Sequence, residues 1–187
     1  MRTQEFSAST RRRRARAGVR LVLTAADLDA AGYQSLPGGV AYDGVGGQIE
    51  VLAYTTVDDV GNAIDRASVE GQVHGGVMQG VGQVLGEHAI HDHDTGQLLS
   101  GSFMDYPMPR ADWMREIRCG EHPVPTQMNA LGAKGVGESG TSGALPATMN
   151  AILCALRPAG VRELDMPATP HRVWRALSAA HPAAAAK

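Results

Sequence analysis

The stretch VEGQVHGGVMQGVGQ, residues 69–83, decides the fold because glycine recurs in it at helical spacing. Residues four apart lie on the same face of a helix. Three glycine pairs in this stretch and just after it have that spacing: Gly71 and Gly75, Gly76 and Gly80, and Gly82 and Gly86. We therefore predict a helix from about Asn62 to His88 whose small-residue faces are pressed against other backbone or a ligand. A helix broken by its glycines is the alternative that the pattern leaves open.

The segments around this helix predict an α+β fold, in which a small antiparallel sheet is packed by the long glycine-rich helix and a second helix. In GQIEVLAYTTVDDVG, residues 47–61, alternate residues share one face, as they do in a strand. Further strands are predicted at Val19–Leu23, after the Thr95-Gly96 turn through Phe103, and at an edge position before Pro123. SLPGGVAYDGVGG, residues 35–47, is rich in turn residues and is interpreted as a junction.

The remaining helices are predicted from their start and stop signals. One runs from about Leu145 to Leu156 and is stopped by the proline and glycine that follow it. Another begins with Thr169 as N-cap and Pro170 as its first residue. A short helical turn is expected over residues 25–31, after a capping threonine.

Composition bounds the class of protein. The chain has 187 residues, a formal net charge of -2 and 43% hydrophobic residues, which is typical of a globular domain. No basic stripe runs through the body of the chain, so we expect no nucleic-acid partner. No apolar run is long enough for a membrane span. Cys119 and Cys154 form neither a disulfide framework nor a zinc site by their spacing, so a reducing cytoplasm is expected.

The stretch LGAKGVGESGT, residues 131–141, contains the spacing G-x-G-x-x-G at Gly135, Gly137 and Gly140. A dinucleotide fingerprint needs a buried strand directly before it, and none is predicted there. The Walker A and nucleophile-elbow patterns also fail. What remains is Glu138 between two glycines. A carboxylate held in a tight, partly dry turn suits a general base, although a solvated surface glutamate is the alternative.

Other polar residues are candidates of lower specificity. Gln72, Gln79 and Gln83 lie near one face of the predicted helix, beside His74, and amides suit a heterocycle or an oxo ligand, but they also suit an exposed surface. A cluster at the following turn resembles a metal site: His88, His91, Asp92, His93 and Asp94. Exposed polar residues are normal in a turn, so we predict no metal ligands there. Asp105 is either a structural cap or a site residue.

Several motifs then follow one another in a fixed order: VDDVG, VEGQVHGGVMQGVGQ, TGQLLSGSFMDYPMPRAD, NALGAKGVGESGTSGALPATMNAI and GVRELDMPATPHRVWRAL. Together they resemble the C-terminal part of the molybdopterin-binding large subunit of the molybdenum hydroxylase (xanthine dehydrogenase/aldehyde oxidase) family. The likeness is greatest to its carbon monoxide dehydrogenase-like bacterial branch. It covers about residues 40–178.

The resemblance implies a role for each matching position. Glu138 would be the catalytic base. The cofactor-binding positions would be Gln79, Gly80, Lys134, Gly135, Val136 and Gly137. The cofactor would be a molybdenum–pterin in its cytosine dinucleotide form, and the partners would be an iron–sulfur subunit, an FAD subunit and the remainder of the large subunit. The activity would be hydroxylation or oxidation of a small substrate (aldehyde, N-heterocycle or CO) with water as oxygen source.

The chain departs from the family pattern in its organisation. Residues 1–16 are expected to be a disordered basic tail, 17–39 a remnant of an N-terminal substrate-side domain, 40–178 the cofactor-binding domain and 179–187 a frayed tail. By the resemblance, we expect the middle of the family subunit to be missing from this chain. We therefore expect the isolated chain to be inactive, and the alternative function is a non-catalytic, internally deleted remnant.

Overall fold

Four strands form one sheet in the computed structural model, which describes residues 19–22 and 39–180. The strands are β1 (Val19–Val22), β2 (Gly39–Asp43), β3 (Ile49–Asp58) and β4 (Ile117–Glu121), in the spatial order β1-β2-β3-β4. The helices are α1 (Arg66–Leu85), α2 (Ser139–Leu156) and α3 (Pro170–Ala180). The α+β class is therefore confirmed.

The sheet is mixed, whereas a wholly antiparallel one was expected. β1, β2 and β3 pair antiparallel, and β2 uses only the first half of β3. β4 pairs with the second half of β3 in parallel, with Tyr54 opposite Ile117. The chain returns from β3 to β4 through α1, and such a helical crossover brings the next strand back in the same direction.

The helix ends follow local capping chemistry. The Asp65 carboxylate accepts a hydrogen bond from the Ala67 N–H at 3.1 Å, so α1 begins at Arg66 rather than at Asn62. α3 begins at Pro170, and the Thr169 hydroxyl accepts from the Arg172 N–H at 3.4 Å, which confirms the predicted cap. α1 is continuous to Leu85, so the broken-helix alternative is wrong.

Glycine lets α1 and α2 meet backbone to backbone. A Cβ added at Gly140 would lie 2.7 Å from the Val73 carbonyl oxygen, and one at Gly80 would lie 2.6 Å from the Ala144 Cβ. The Thr141 hydroxyl donates to the Gly76 carbonyl oxygen at 3.1 Å across the same contact. One face of the glycine-rich helix is thus pressed against other backbone, as predicted.

The core forms on both sides of α2. Val73, Val77 and Val81 of α1 pack with Val51 of β3 and with Ala144. A second cluster joins β2, α2 and α3: Val40, Tyr42, Ile152, Leu156 and Val173. Because α2 contributes to both clusters, its position determines where β2 and α1 lie relative to each other.

Two predicted segments differ in the structure. Val40 and Tyr42 lie in β2 and are buried, and a turn follows the strand at residues 44–46, so the interpretation of residues 35–47 as a junction is wrong for the strand. Residues 35–38 lie outside the described residues. The predicted strand through Phe103 is wrong: a single bridge joins His91 to Leu98, and Phe103 is 88% exposed. In the first segment, burial of two side chains in the core outweighed the glycine content; in the second, the exposed Phe103 has no buried position that would favour a strand.

α2 begins at Ser139, six residues before the predicted start, and includes Pro146. Glycine and proline are poor helix formers, but Gly140 is held against α1, and that contact overrides propensity. The predicted turn over 25–31, the tail 1–16, most of the predicted remnant 17–39 and residues 181–187 of the predicted tail 179–187 lie outside the described residues, while residues 179 and 180 end α3. None of the described helices is long and apolar enough to cross a membrane.

Substituting Gly140→Ala should destabilise the fold, because its Cβ would meet backbone atoms of Val73 and Val77 at 2.7 and 3.0 Å. Overpacking of this kind costs about 1–3 kcal/mol. The matched control is Gly75→Ala, where an added Cβ meets nothing within 4 Å, and alanine should be neutral or stabilising by about 0.5–1 kcal/mol. Urea unfolding measures both; equal effects would contradict the close contact.

Candidate functional site

The loop that leads into α2 is fastened to the chain just after β3. Gly132 has φ +66, a conformation that favours glycine. The Asn62 N–H donates to the Gly132 carbonyl at 3.0 Å, and the Lys134 N–H donates to the Val60 carbonyl at 2.9 Å. Residues 132–134 are therefore held in a defined backbone conformation next to the start of α1.

The side chain of Lys134 is used within this loop. Its Nζ lies 2.6 Å from Oδ2 of Asp59, and Oδ1 of Asp59 also accepts from the N–H groups of Gly61 and Val124 at 3.0 and 2.9 Å. The hydrogen bond from Lys134, followed by the backbone ones, lowers the pKa of Asp59 to about 2. The ammonium group and the N–H of Lys134 thus both fix the loop, which leaves its carbonyl as the backbone group to offer to a ligand.

Glu138 occupies the N-cap position of α2, but its side chain makes no capping hydrogen bond. Before it, Val136 is 9% exposed and its carbonyl accepts from the Ser139 hydroxyl at 3.0 Å. The glutamate itself is exposed. The expected partly dry turn is therefore not formed by the described residues, although the carboxylate is available to a group that approaches the loop.

Gln79 is exposed on α1, and its Oε1 accepts from the Thr141 hydroxyl at 3.1 Å. The hydroxyl thereby orients the amide beside the first turn of α2. Gln72 also reaches the loop: a Cβ at Gly137 would lie 3.5 Å from its Oε1. The structure thus brings the glutamine face of α1 next to the Gly137–Glu138 segment, a proximity that sequence spacing cannot reveal.

Glycines in this region fall into two groups. The contact between α1 and α2 leaves no room for a side chain at Gly76, Gly80 or Gly140. Added Cβ atoms at Gly71, Gly75 and Gly135 would meet nothing within 4 Å. Packing within the described part of the chain therefore does not account for these three, which leave backbone open to close approach.

The remaining candidates lie elsewhere or serve the local structure. Asp105 accepts from the Ser102 hydroxyl at 2.6 Å, which closes a turn. Asp92 is occupied by hydrogen bonds from Thr95, which lower its pKa. A cavity of about 550 Å³ is lined by residues of β2, β3 and the 111–115 segment, and by none of the predicted site residues.

Comparison with known proteins identifies the family. A sequence profile of the molybdopterin cofactor-binding domain matches residues 38–115, which include Gln79 and Gly80 but not Glu138. The nicotine 6-hydroxylase large subunit of Paenarthrobacter nicotinovorans is 40% identical over 137 residues. The carbon monoxide dehydrogenase large chain of Hydrogenophaga pseudoflava is 35% identical over 138 residues. The chain belongs to the molybdenum hydroxylase family.

The solved structures agree in fold. CO dehydrogenase from Oligotropha carboxidovorans superposes with a TM-score of 0.72 at 29% identity over 76% of this chain. Quinoline 2-oxidoreductase from Pseudomonas putida 86 gives 0.70 at 35% identity, also over 76%. The two sequence relatives match 73% and 74% of this chain. The matched part is only 17% of the length of each relative. The chain thus corresponds to a molybdopterin-binding portion of such an enzyme.

The residues present fit one side of a molybdenum–pterin group. Exposed Glu138, the amide of Gln79 and the open backbone at Gly135 offer a proton acceptor, a hydrogen-bonding amide and close backbone approach. None of them is a soft metal ligand, so the described residues suit contact with the cofactor rather than direct coordination.

Replacing Asp59 by Asn should lower stability in a pH-dependent way. The folded state depresses the pKa of this carboxyl from 3.8 to about 2, so its contribution is complete well above pH 3.8 and is lost as the pH falls through about 2. Urea unfolding at a series of pH values should show a difference in the free energy of unfolding between parent and variant, and this gap should narrow in acid. Lys134→Met should reproduce most of the gap. A gap independent of pH would contradict the assignment.

Proposed function

We propose that this chain is the C-terminal cofactor-binding portion of a molybdenum hydroxylase large subunit, with Glu138 as the catalytic base. The observation that carries the proposal is the contact between α1 and α2, which brings the Gly137–Glu138 segment beside the glutamine face of α1. Residues 40–178 are the cofactor-binding domain in this proposal, and 17–39 is a remnant of a substrate-side domain.

The cofactor of the proposed enzyme is a molybdenum–pterin in its cytosine dinucleotide form, which supplies the redox centre and allows water to be the oxygen source. Gln79 would contact it through the amide that Thr141 orients at 3.1 Å. The backbone of Lys134, Gly135, Val136 and Gly137 would line it, while the Lys134 ammonium stays with Asp59. Gly80 would contribute indirectly, because its lack of a side chain lets α2 approach α1 and so positions the residues that contact the cofactor.

Glu138 is suited to accept a proton because its carboxylate is not used in capping α2. Gly137 directly before it carries no side chain, which leaves space for a reacting group on that side of the carboxylate. Its exposure means that another part of the protein must exclude water from the site during catalysis. The proposed substrate class is a small aldehyde, N-heterocycle or CO, and similarity to enzymes named for nicotine and quinoline supports a nitrogen heterocycle within that class.

The proposed partners are the remainder of the large subunit, an iron–sulfur subunit and an FAD subunit. Several large apolar side chains are mostly exposed to solvent: Phe103 at 88%, Met104 at 94%, Met128 at 91% and Leu131 at 63%. Exposed apolar side chains of this size suit burial against another chain segment. Cys119 and Cys154 are both free, which is consistent with the proposed cytoplasmic location.

A second function is a non-catalytic remnant of such a subunit, and the exposure of Glu138 favours it. Catalysis of this type depends on a site that is organised in advance and closed to water. The described residues present a surface rather than an enclosed cavity around the glutamate. On this hypothesis the chain folds but does not retain the cofactor.

Co-purification separates the two functions. The 187-residue chain would be produced alone and with candidate partner subunits in cells that make the cofactor, and bound molybdenum and pterin would be measured. The enzyme hypothesis predicts both with partners and little with the chain alone. Absence of both in every combination, with the chain folded by circular dichroism, would leave the remnant as the function.

In a cofactor-loaded complex, Glu138→Gln should lower kcat by about 10²–10⁴-fold, the usual contribution of a general base. Its molybdenum content should equal that of the parent, because glutamine keeps the shape of the side chain. Glu163→Gln, at an exposed glutamate beyond α2, is the matched control and should leave kcat unchanged. Equal loss of molybdenum and activity in Glu138→Gln would instead assign the residue to cofactor retention.

A further inference from the structure

Glu70 and His74 of α1 meet Cys119 of β4 on the side of the helix away from the candidate site. Their ligand atoms all lie within 4.8 Å of one another, the one such group of three among the described residues. The Nε2 of His74 is 3.9 Å from Oε1 of Glu70. Gln79 lies about 180° around the helix from Glu70, at 100° per residue. The group is therefore independent of the proposed cofactor surface.

The arrangement is held by the backbone and by a neighbouring ion pair. Arg66, Glu70 and His74 follow one another at i, i+4 and i+8 on one helix face. Cys119 and Glu121 lie two apart on one side of β4. Arg66 pairs with Glu121 at 3.3 Å, so the same helix face is already joined to the same side of the strand one turn away.

His74 has an unused ligand atom in this group. Its Nε2 is shielded from solvent and has no hydrogen-bond partner, and a buried polar nitrogen left unpaired is costly. Burial and the charges of Glu70 and Asp58 raise the pKa of the Cys119 thiol. That same negative field attracts a cation, which would in turn stabilise the thiolate.

We propose that Glu70, His74 and Cys119 bind a divalent transition metal ion of the zinc type, joining β4 to α1. One carboxylate oxygen, one imidazole nitrogen and one thiolate are ligands that Zn²⁺ takes together. Tetrahedral ligands at about 2.0–2.3 Å from zinc are roughly 3.5 Å apart, so side-chain movements of about 1 Å close the site. Water would occupy the fourth position.

Binding forms a bond from zinc to the Cys119 sulfur and releases the thiol proton to the solvent, with no change of oxidation state. Sequence spacing predicts no zinc site, because Cys119 and Cys154 are far from each other in sequence. The ligands meet only because α1 packs beside β4. The edge strand β4, which has a neighbour on one side only, would gain a second attachment.

The test is metal binding by the 187-residue chain, freed of metal and titrated with Zn²⁺ or Co²⁺. We expect one Zn²⁺ per chain and the thiolate-to-cobalt charge-transfer absorption of a cysteine ligand. Cys119→Ser and His74→Gln should each weaken Zn²⁺ binding by at least about tenfold, since even outer-shell changes at metal sites cost about 10–100-fold. Zn²⁺ should raise the Tm of the parent but not of these variants.

Matched controls are Cys154→Ser, at the other free cysteine, and His91→Gln, in the exposed histidine-rich turn. Both should bind like the parent. Circular dichroism and Tm in a chelator check that each variant is folded. Binding lost in His91→Gln but kept in Cys119→Ser would place the metal at the turn and overturn the proposal, as would a parent that binds no Zn²⁺ at micromolar concentration.

Discussion

The close backbone approach of α1 and α2 is the contact on which the rest of the structure depends. Gly76, Gly80 and Gly140 allow it, because any side chain at Gly80 or Gly140 would come within 3 Å of atoms on the other helix. α2 then contributes to both core clusters, so its position orders β2, β3 and α1 together. The same approach places the start of α2, and with it Glu138, beside the amides of α1. Stability and the candidate site therefore share one constraint.

A second constraint acts on the loop before α2. The Asp59 carboxylate lies 2.6 Å from the Lys134 ammonium and accepts hydrogen bonds from two backbone N–H groups. These contacts join the end of β3 to the loop. The family resemblance implies a cofactor-binding position for Lys134, and the structure gives its side chain a local partner in Asp59. A positioning role for the lysine and a binding role for the neighbouring backbone are compatible, because the ion pair fixes the conformation in which that backbone is presented.

Sequence reasoning succeeded where a signal was local. Alternation over Ile49–Asp58 and the Thr169-Pro170 start each predicted an element that the structure contains, since strand pleat and helix capping involve neighbours in sequence. It failed where packing overrode propensity. Val40 to Tyr42 are strand despite flanking glycines, α2 begins six residues before its prediction, and the parallel pairing of β4 could not be read from its five residues.

The sequence by itself determined the family, because ordered motifs across residues 40–178 are a property of the chain and need no coordinates. It also contains the glycine spacing of α1 and the positions to which the family resemblance assigns a role. Only the tertiary structure decided which glycines serve helix packing and which face open space, because that depends on what lies opposite each Cα. Only the tertiary structure also shows that Glu138 is exposed, that Lys134 pairs with Asp59 and that Cys119 lies near His74. Residues tens of positions apart in sequence meet only when the helices and strands pack.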